Sequence, residues 1–351
     1  MGSVSPLIAI RSYLEKKEKN DYLWIGTQTG PERLLVEKNG LAYKAIFSGK
    51  WRRYFDWRNF SDPFLMILGL IQSLWQVWRF KPDVLLTAGS FVCVPVALAA
   101  RIFKVKIIVH QQDLKIGLAN RLMQKIATKI TIAFPELQNK FPREKVVLTG
   151  NPVRPELFAG SREQAMSIFH LETNLPTLLI MGGGIGSEVI NKGFISAQLE
   201  LTRFCQVIHL LGKGDQAKWL HQPEVLANHR YHVYEFLAEE LTHAYAAADL
   251  VFGRAGLSSL TELAALKKAS IIMPIPDNQQ EVNAEYLFAK KAIVYVKQED
   301  FSADYIVSMI DDLFNHGGRL VELGENLYRA MPQNAGEEYA KMIDELVRPL
   351  G

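Results

Sequence analysis

Short apolar runs alternate with amphipathic stretches along most of the chain, and this alternation leaves few architectures open. Residues 22–25, 84–87, 106–109, 129–133 and 146–149 read as strands with helical patterns between them. The series restarts after Pro152 with residues 177–181, 206–211, 231–235, 250–252, 270–273 and 292–296. Strands spaced by helices are joined by crossovers, so they build parallel sheets with helices packed on the faces. Two open parallel sheets in one α/β chain are the expectation, and 351 residues is more than one hydrophobic core usually serves. Neither short repeats nor low-complexity tracts compete with it.

Composition narrows the class further. With 48% hydrophobic and 22% charged residues the chain is neither disordered, collagen-like nor a disulfide scaffold. Its two cysteines, Cys93 and Cys205, have no CxxC or Cys/His spacing, so neither a zinc site nor a disulfide framework is expected, and a reducing compartment suits them. The net charge of +3 conceals an asymmetry: residues 1–150 hold 23 Lys+Arg against 11 Asp+Glu, which leaves 17 against 26 for the rest. A basic first half suits an anionic surface, nucleic acid or phospholipid, although no nucleic-acid motif accompanies it and drift of solvated charge gives the same count. Residues 1–10 lack a basic leader, so no signal peptide is expected. The longest uncharged runs, 63–78 and 84–100, fall short of the roughly 18–20 residues that span a bilayer, so the expectation is a soluble or peripheral protein.

In open parallel sheets ligands sit beyond the carboxyl ends of strands, which singles out the loops that follow them. Gly182-Gly183-Gly184-Ile185-Gly186-Ser187 lies between a strand and a helix expected from Glu188; glycines there admit a phosphate, and the helix N-terminus supplies unpaired N–H groups. The spacing is neither GxGxxG nor a P-loop, and a tight turn without ligand reads the same. Gly2-Ser3-Val4-Ser5-Pro6 would open a first helix at 7–13, yet the sequence leaves no residues for a strand ahead of it: either the fold lacks that strand or the sequence is truncated. In Arg254-Ala255-Gly256-Leu257-Ser258-Ser259, a serine is expected to cap a helix whose first turn carries Glu262. That carboxylate could accept bonds from ribose hydroxyls, or Ser259 and Glu262 could simply form a capping box. Gln279 and Gln280 offer paired amides suited to sugar hydroxyls, where surface filler is the alternative.

Together these segments resemble the MurG family, glycosyltransferases that move N-acetylglucosamine from UDP onto undecaprenyl-pyrophosphoryl-N-acetylmuramyl-pentapeptide (lipid I) to give lipid II for peptidoglycan. The resemblance covers nearly the whole chain. It rests on Gly2-x-x-x-Pro6, Thr87-Ala88-Gly89-Ser90, His110-Gln111-Gln112-Asp113, Gly150-Asn151-Pro152-Val153-Arg154, the 182–187 loop, Arg254 through Glu262, and Gln279-Gln280-x-x-Asn283-Ala284. It implies a GT-B fold: two Rossmann-like parallel-sheet domains facing a cleft, here without the usual first strand. Residues 1–152 with a returning helix at 335–351 would take the lipid acceptor, and residues 153–334 the UDP-sugar. Carried over, Glu262 holds the ribose; Arg154, Gly183, Gly184, Gly186 and Ser187 meet the diphosphate region; Arg254, Gly256, Gln279, Gln280 and Asn283 complete the donor site. Gly2, Thr87, Gly89, Ser90, His110 and Gln112 would form the acceptor loops.

Departures from the family pattern bear on mechanism. Ser3 stands where the family has a histidine that is a candidate base, and a serine at its ordinary pKa needs an activator for that task. Asp113 is the alternative base, or else a cap on a helix beginning near Leu114; His110, at a strand end, also reads as structural. The resemblance implies one inverting displacement by the acceptor 4-hydroxyl, with charge on the leaving diphosphate met by helix N-termini and Arg154. No DxD-like pair ends a strand, so neither a metal nor another cofactor is expected. Trp51, Arg52, Arg53 and Trp57, followed by Leu68, Ile71, Trp75 and Trp78, suit a helix lying on an anionic membrane, here the cytoplasmic face of the plasma membrane; a buried crossover helix gives the same pattern. A degenerate non-catalytic protein, an enzyme for another lipid, and a UDP-GlcNAc epimerase are the competing readings.

Overall fold

A computed structural model describes residues 2–30, 32–49, 58–213, 218–220 and 222–348, without the side chains of 58–63, 224 and 226. The chain divides into two compact units, 1–154 with 332–351, and 155–331; the sequence reading put the crossings at 152/153 and 334/335.

The second unit is a six-stranded parallel sheet made of β7 (Thr177–Met181), β8 (Gln206–Leu210), β9 (Tyr231–Tyr234), β10 (Leu250–Gly253), β11 (Ser270–Ile272) and β12 (Val294–Tyr295). Its spatial order is β12-β11-β10-β7-β8-β9. Every residue of β7 is buried, because helices cover both faces of a central parallel strand and leave no polar side. Phe194 and Phe252 stack edge-on with centroids 4.7 Å apart, and Phe301 lies against both. Around them Ile190, Ile306 and Ile310 close one core. The helices are α6 (Arg162–Ile168), α7 (Glu188–Ser196), α8 (Gln198–Leu201), α9 (Pro223–Leu226), α10 (Leu241–Ala247), α11 (Leu257–Ala265), α12 (Gln279–Ala289), α13 (Ala303–Asn315) and α14 (Gly317–Ala330).

The first unit holds two parallel sheets. One joins β1 (Leu23–Thr27) to β2 (Ala42–Ile46); the other runs β3 (Val84–Thr87), β4 (Lys106–Gln111), β5 (Lys129–Ile132), β6 (Val146–Leu148). Around them lie α1 (Ser5–Glu15), α2 (Glu32–Lys38), α3 (Arg58–Phe80), α4 (Cys93–Ile102), α5 (Leu118–Met123) and the returning α15 (Ala335–Val347). Tyr339 and Ile343 of α15 pack with Ile10 of α1 and Ile108 of β4. Where the chain leaves this unit, Gly150 has φ +83, and a Cβ there would lie 2.8 Å from the Pro332 carbonyl oxygen on the return strand of chain. β2 has no counterpart in the sequence reading: Tyr43 and Lys44 dilute its apolar signal, and only Ile46 is fully buried.

Candidate functional site

In the second unit the connection from β7 leads to one side, to β8, while that from β10 leads to the other, to β11. β7 and β10 are neighbours, paired from Leu178↔Leu250 to Met181↔Gly253. Their loops therefore part at the carboxyl edge and leave a crevice, the place where open α/β sheets take ligands. The glycine-rich loop follows one strand and the Arg254 loop the other.

The glycine loop depends on missing side chains. A Cβ on Gly182 would lie 2.6 Å from the Ser187 amide nitrogen, and Gly183 and Gly186 have φ of +92 and +77. The Gly186 N–H closes the turn on the Gly183 carbonyl at 2.9 Å. Beneath it, Gly212 at the end of β8 has φ +90, and a Cβ there would sit 2.1 Å from the Gly186 nitrogen. The loop ends at α7, whose first-turn amides have no intrahelical acceptor and favour an anion. Buried Asn191 holds α7 down: its Nδ2 donates to the Leu211 carbonyl, and its Oδ1 lies 3.1 Å from Nε2 of buried His209.

Ser187 is the N-cap of α7 yet makes no side-chain cap. Its Oγ instead accepts from Arg254 Nη2 at 2.8 Å, and the same nitrogen donates to Gln298 Oε1 at 2.8 Å. Arg254 Nη1 donates to the carbonyls of Met273 and Pro274 at 3.2 and 3.0 Å. Burial lowers its pKa, though a guanidinium retains its charge at neutral pH. Arg254 thus braces the glycine loop against the end of β11.

Glu262 lies on the second turn of α11, not the first. The helix begins at Leu257 with Gly256 as N-cap, so Ser258 and Ser259 are already inside it and the expected cap and Ser259–Glu262 capping box are not formed. Instead Glu262 Oε2 accepts from the hydroxyl of Tyr245 at 3.0 Å. Tyr245, on α10, is 1% exposed. Farther along, Asn278 caps α12 by accepting from the Gln280 N–H, and Gln280 Oε1 accepts from the Ile275 N–H. Gln279 is exposed, whereas Asn283 is fully buried beside Ala284 on the packed side of the helix.

The acceptor-loop residues belong to the first unit. Thr87 is buried at the end of β3; Gly89 has φ +82 and exposed Ser90 φ +131, a backbone conformation that costs energy for any side chain. Gln112 is buried and donates from Nε2 to the Ala88 carbonyl, tying the loop after β4 to that after β3. Gln111 Nε2 donates to the carbonyls of Asp113 and Lys115 and shapes the bend on which half-buried Asp113 sits. The helix expected near Leu114 starts only at Leu118, with Gly117 as its N-cap. Gly2 and Ser3 form a turn ahead of α1, and Arg154 is half-buried at the first unit's end.

His110, expected among the acceptor loops, belongs to the core instead. It is 1% exposed, with Nδ1 3.0 Å from Thr131 Oγ1 and Nε2 3.0 Å from Asn151 Oδ1. Asn151 Oδ1 can only accept, so Nε2 carries the proton and Nδ1 accepts from Thr131. Thr131 is also bonded to the Tyr339 hydroxyl of α15. Burial drives the His110 pKa down to about 4, so the ring is neutral at pH 7 and fastens β4, β5, α15 and the exit from the unit together.

Trp51, Arg52, Arg53 and Trp57 lie outside the described residues. On α3, Phe64, Ile67, Ile71, Trp75 and Trp78 are 51–64% exposed and fall at helical spacing on one face, with Leu68 half-buried beside them. Val77, Leu70 and Leu74 pack on Val92 and Val96 of α4. One side of α3 thus packs on α4, while the other presents an exposed apolar stripe. Among the described residues no helix is long and apolar enough to cross a membrane, and no three His, Cys, Asp or Glu side chains are grouped to hold a metal.

Residues that pattern reading missed are Gly212, Tyr245, Gln298 and the Asn191–His209 pair. Gly212 had a signal, a glycine directly after an apolar run; the others act through partners distant in sequence.

Comparison with known proteins places this geometry. Residues 1–132 match the glycosyltransferase family 28 N-terminal domain, and residues 177–346 the family's C-terminal domain. A UDP-N-acetylglucosamine--N-acetylmuramyl-(pentapeptide) pyrophosphoryl-undecaprenol N-acetylglucosamine transferase of Lachnoclostridium phytofermentans is 37% identical over 329 residues, 93% of this chain and 91% of that protein. The Bacillus cereus enzyme of the same name, numbered 2, is 33% identical over 346 residues, 97% of this chain and 95% of that one. The crystal structure of Acinetobacter baumannii MurG superposes with a TM-score of 0.74 at 22% identity, covering 98% of this chain and 96% of that one.

Proposed function

Because the chain belongs to glycosyltransferase family 28, among relatives that glycosylate a muramyl-pentapeptide lipid, we infer that it transfers N-acetylglucosamine from UDP-N-acetylglucosamine to the 4-hydroxyl of lipid I, giving lipid II for peptidoglycan synthesis. The observation that carries the assignment of the donor to the second unit is the crevice between β7 and β10, with a glycine loop and helix N-terminus on one side and a tyrosine-braced carboxylate on α11 of the other.

In this reading the α7 amides meet the diphosphate, and they gain most as negative charge grows on the departing UDP. Glu262 Oε2 is engaged by Tyr245, which fixes the carboxylate's orientation toward the vicinal ribose hydroxyls. Gln279, at the exposed start of α12, reads the sugar. The acceptor hydroxyl attacks the anomeric carbon, the bond to the UDP oxygen breaks, and the hydroxyl proton passes to a base, with inversion at that carbon. Asp113 is assigned that role, being the carboxylate that follows Gln112 on the loop after β4; Ser3 at its ordinary pKa is too weak a base. No DxD-like pair follows a strand, so a chelator is expected to leave the rate unchanged.

The lipid acceptor requires access to a membrane, and the outward stripe of α3 on the basic half supports peripheral attachment to an anionic cytoplasmic leaflet. The donor assignment is tested by calorimetric titration with UDP-N-acetylglucosamine. Glu262→Ala should weaken binding at least tenfold while Asp113→Asn leaves it within about twofold, and equal binding by wild type and Glu262→Ala would refute it.

A further inference from the structure

Two buried amides stand behind the bend that carries Asp113. Gln111, the last residue of β4, is 3% exposed, and Asn120, in α5, is 5% exposed. Asn120 Nδ2 donates to the His110 carbonyl at 3.1 Å and to Gln111 Oε1 at 2.7 Å. Gln111 Nε2 in turn donates to the carbonyls of Asp113 and Lys115.

Each orientation in this relay is forced by its neighbour. A backbone carbonyl only accepts, so Asn120 must turn its amide nitrogen toward His110. The same nitrogen meets Gln111, whose oxygen has to face it. The Gln111 nitrogen is then left toward 113 and 115, where two further carbonyls only accept. One group loses by this arrangement: Asn120 Oδ1 is buried without a hydrogen-bond partner and lies against Gly89, where a Cβ would be 3.3 Å from it. An unmet buried acceptor is unfavourable, but turning the amide over would set its oxygen against the oxygens of His110 and Gln111. The orientation kept is therefore the one that serves the bend. Its root is rigid, because the His110 ring is bonded to Thr131 and Asn151, and linked hydrogen bonds in buried surroundings strengthen one another.

We propose that Gln111 and Asn120 are positioning residues for glycosyl transfer, a role that rests on Asp113 being the base. The relay fixes the main chain of Asp113 so that its carboxylate meets the acceptor hydroxyl. As the hydroxyl oxygen bonds to the anomeric carbon and the UDP oxygen leaves with its electron pair, the hydroxyl proton passes to the Asp113 carboxylate. Position 111 needs a side chain that accepts and donates at one end. A glutamate there has the same shape and still accepts from Asn120, but it turns an acceptor toward the two carbonyls it should hold.

The test compares the full chain with Gln111→Glu, Gln111→Met, Asn120→Asp and Asp113→Asn. Gln111→Met adds no charge to the buried site and carries the test if Gln111→Glu or Asn120→Asp fails to fold. Two readouts are taken: the rate of trypsin cleavage between Lys115 and Ile116, and the kinetics of UDP release in the presence of a soluble lipid I analogue. The Gln111 and Asn120 variants should be cut there about tenfold faster or more, as the bend opens. Their kcat should fall at least tenfold while KM for UDP-N-acetylglucosamine stays within about twofold, a split that a general loosening of the donor site would not give. Unchanged cleavage, or faster cleavage with kcat unchanged, would overturn the proposal. Loss of activity in Asp113→Asn with wild-type kcat in the Gln111 and Asn120 variants would overturn the relay alone. Wild-type kcat in Asp113→Asn would instead refute the base assignment, and with it the catalytic use of the relay.

Discussion

Gly212 is not among the expected ligand contacts, yet the 182–187 loop rests on it: φ is +90 and a Cβ would collide with Gly186 backbone. Gly212→Ala should cost about 1–3 kcal/mol of stability from backbone strain, and should raise the KM for UDP-N-acetylglucosamine at least tenfold as the loop lifts; thermal melts and initial rates check both. Tyr245→Phe removes one hydrogen bond to Glu262 and little packing, so about 1 kcal/mol is expected, seen as a severalfold rise in donor KM with kcat nearly unchanged. The buried histidines give a pH dependence. His110 and His209 have folded pKa values near 4 and 3, well under the 6.5 of an exposed imidazole, because burial disfavours their charged forms. Each stays neutral when folded but takes up a proton when unfolded below pH 6.5, so its contribution is fully present above that value and is lost as pH falls toward the folded pKa. Urea unfolding should lose on the order of 2 kcal/mol per histidine between pH 7 and 5, and His110→Gln should flatten that slope. The glycines at 182–186 were legible because they cluster in sequence; Tyr245 and Gln298 were not, since each acts through one contact with a residue far along the chain.

At the scale of elements, α3 shows why a pattern can support two readings. Leu70, Leu74 and Val77 face α4, and Ile71, Trp75 and Trp78 face outward. Replacing Ile71 and Trp75 together by Glu should reduce sedimentation with anionic vesicles at least tenfold while the melting temperature moves by less than about 2 °C, since neither side chain is buried by the fold. Unchanged sedimentation would remove α3 from the membrane assignment. Helix starts were less legible than helices: α11 is capped by Gly256 and α5 by Gly117, residues with no side chain to signal a cap, so Ser259 and Leu114 drew attention instead. β2 escaped because four of its five residues stay partly or fully exposed, and an edge strand needs no continuous apolar run.

For the whole molecule, the restart of the strand–helix alternation after Pro152 predicted two parallel-sheet units, and the fully buried strand β7 stood out because both its faces had to be apolar. What pattern could not give was strand order, and with it the divergence of the β7 and β10 connections that makes the crevice; order depends on packing between segments some 70 residues apart. The central claim is that these units together carry out acceptor-dependent glycosyl transfer. The measurement that tests it most directly is UDP release from UDP-N-acetylglucosamine with and without a soluble lipid I analogue, for wild type and Glu262→Ala. Release that requires the acceptor and falls at least a hundredfold in the variant is the predicted result. Release that ignores the acceptor, or that survives loss of Glu262 unchanged, would contradict the account.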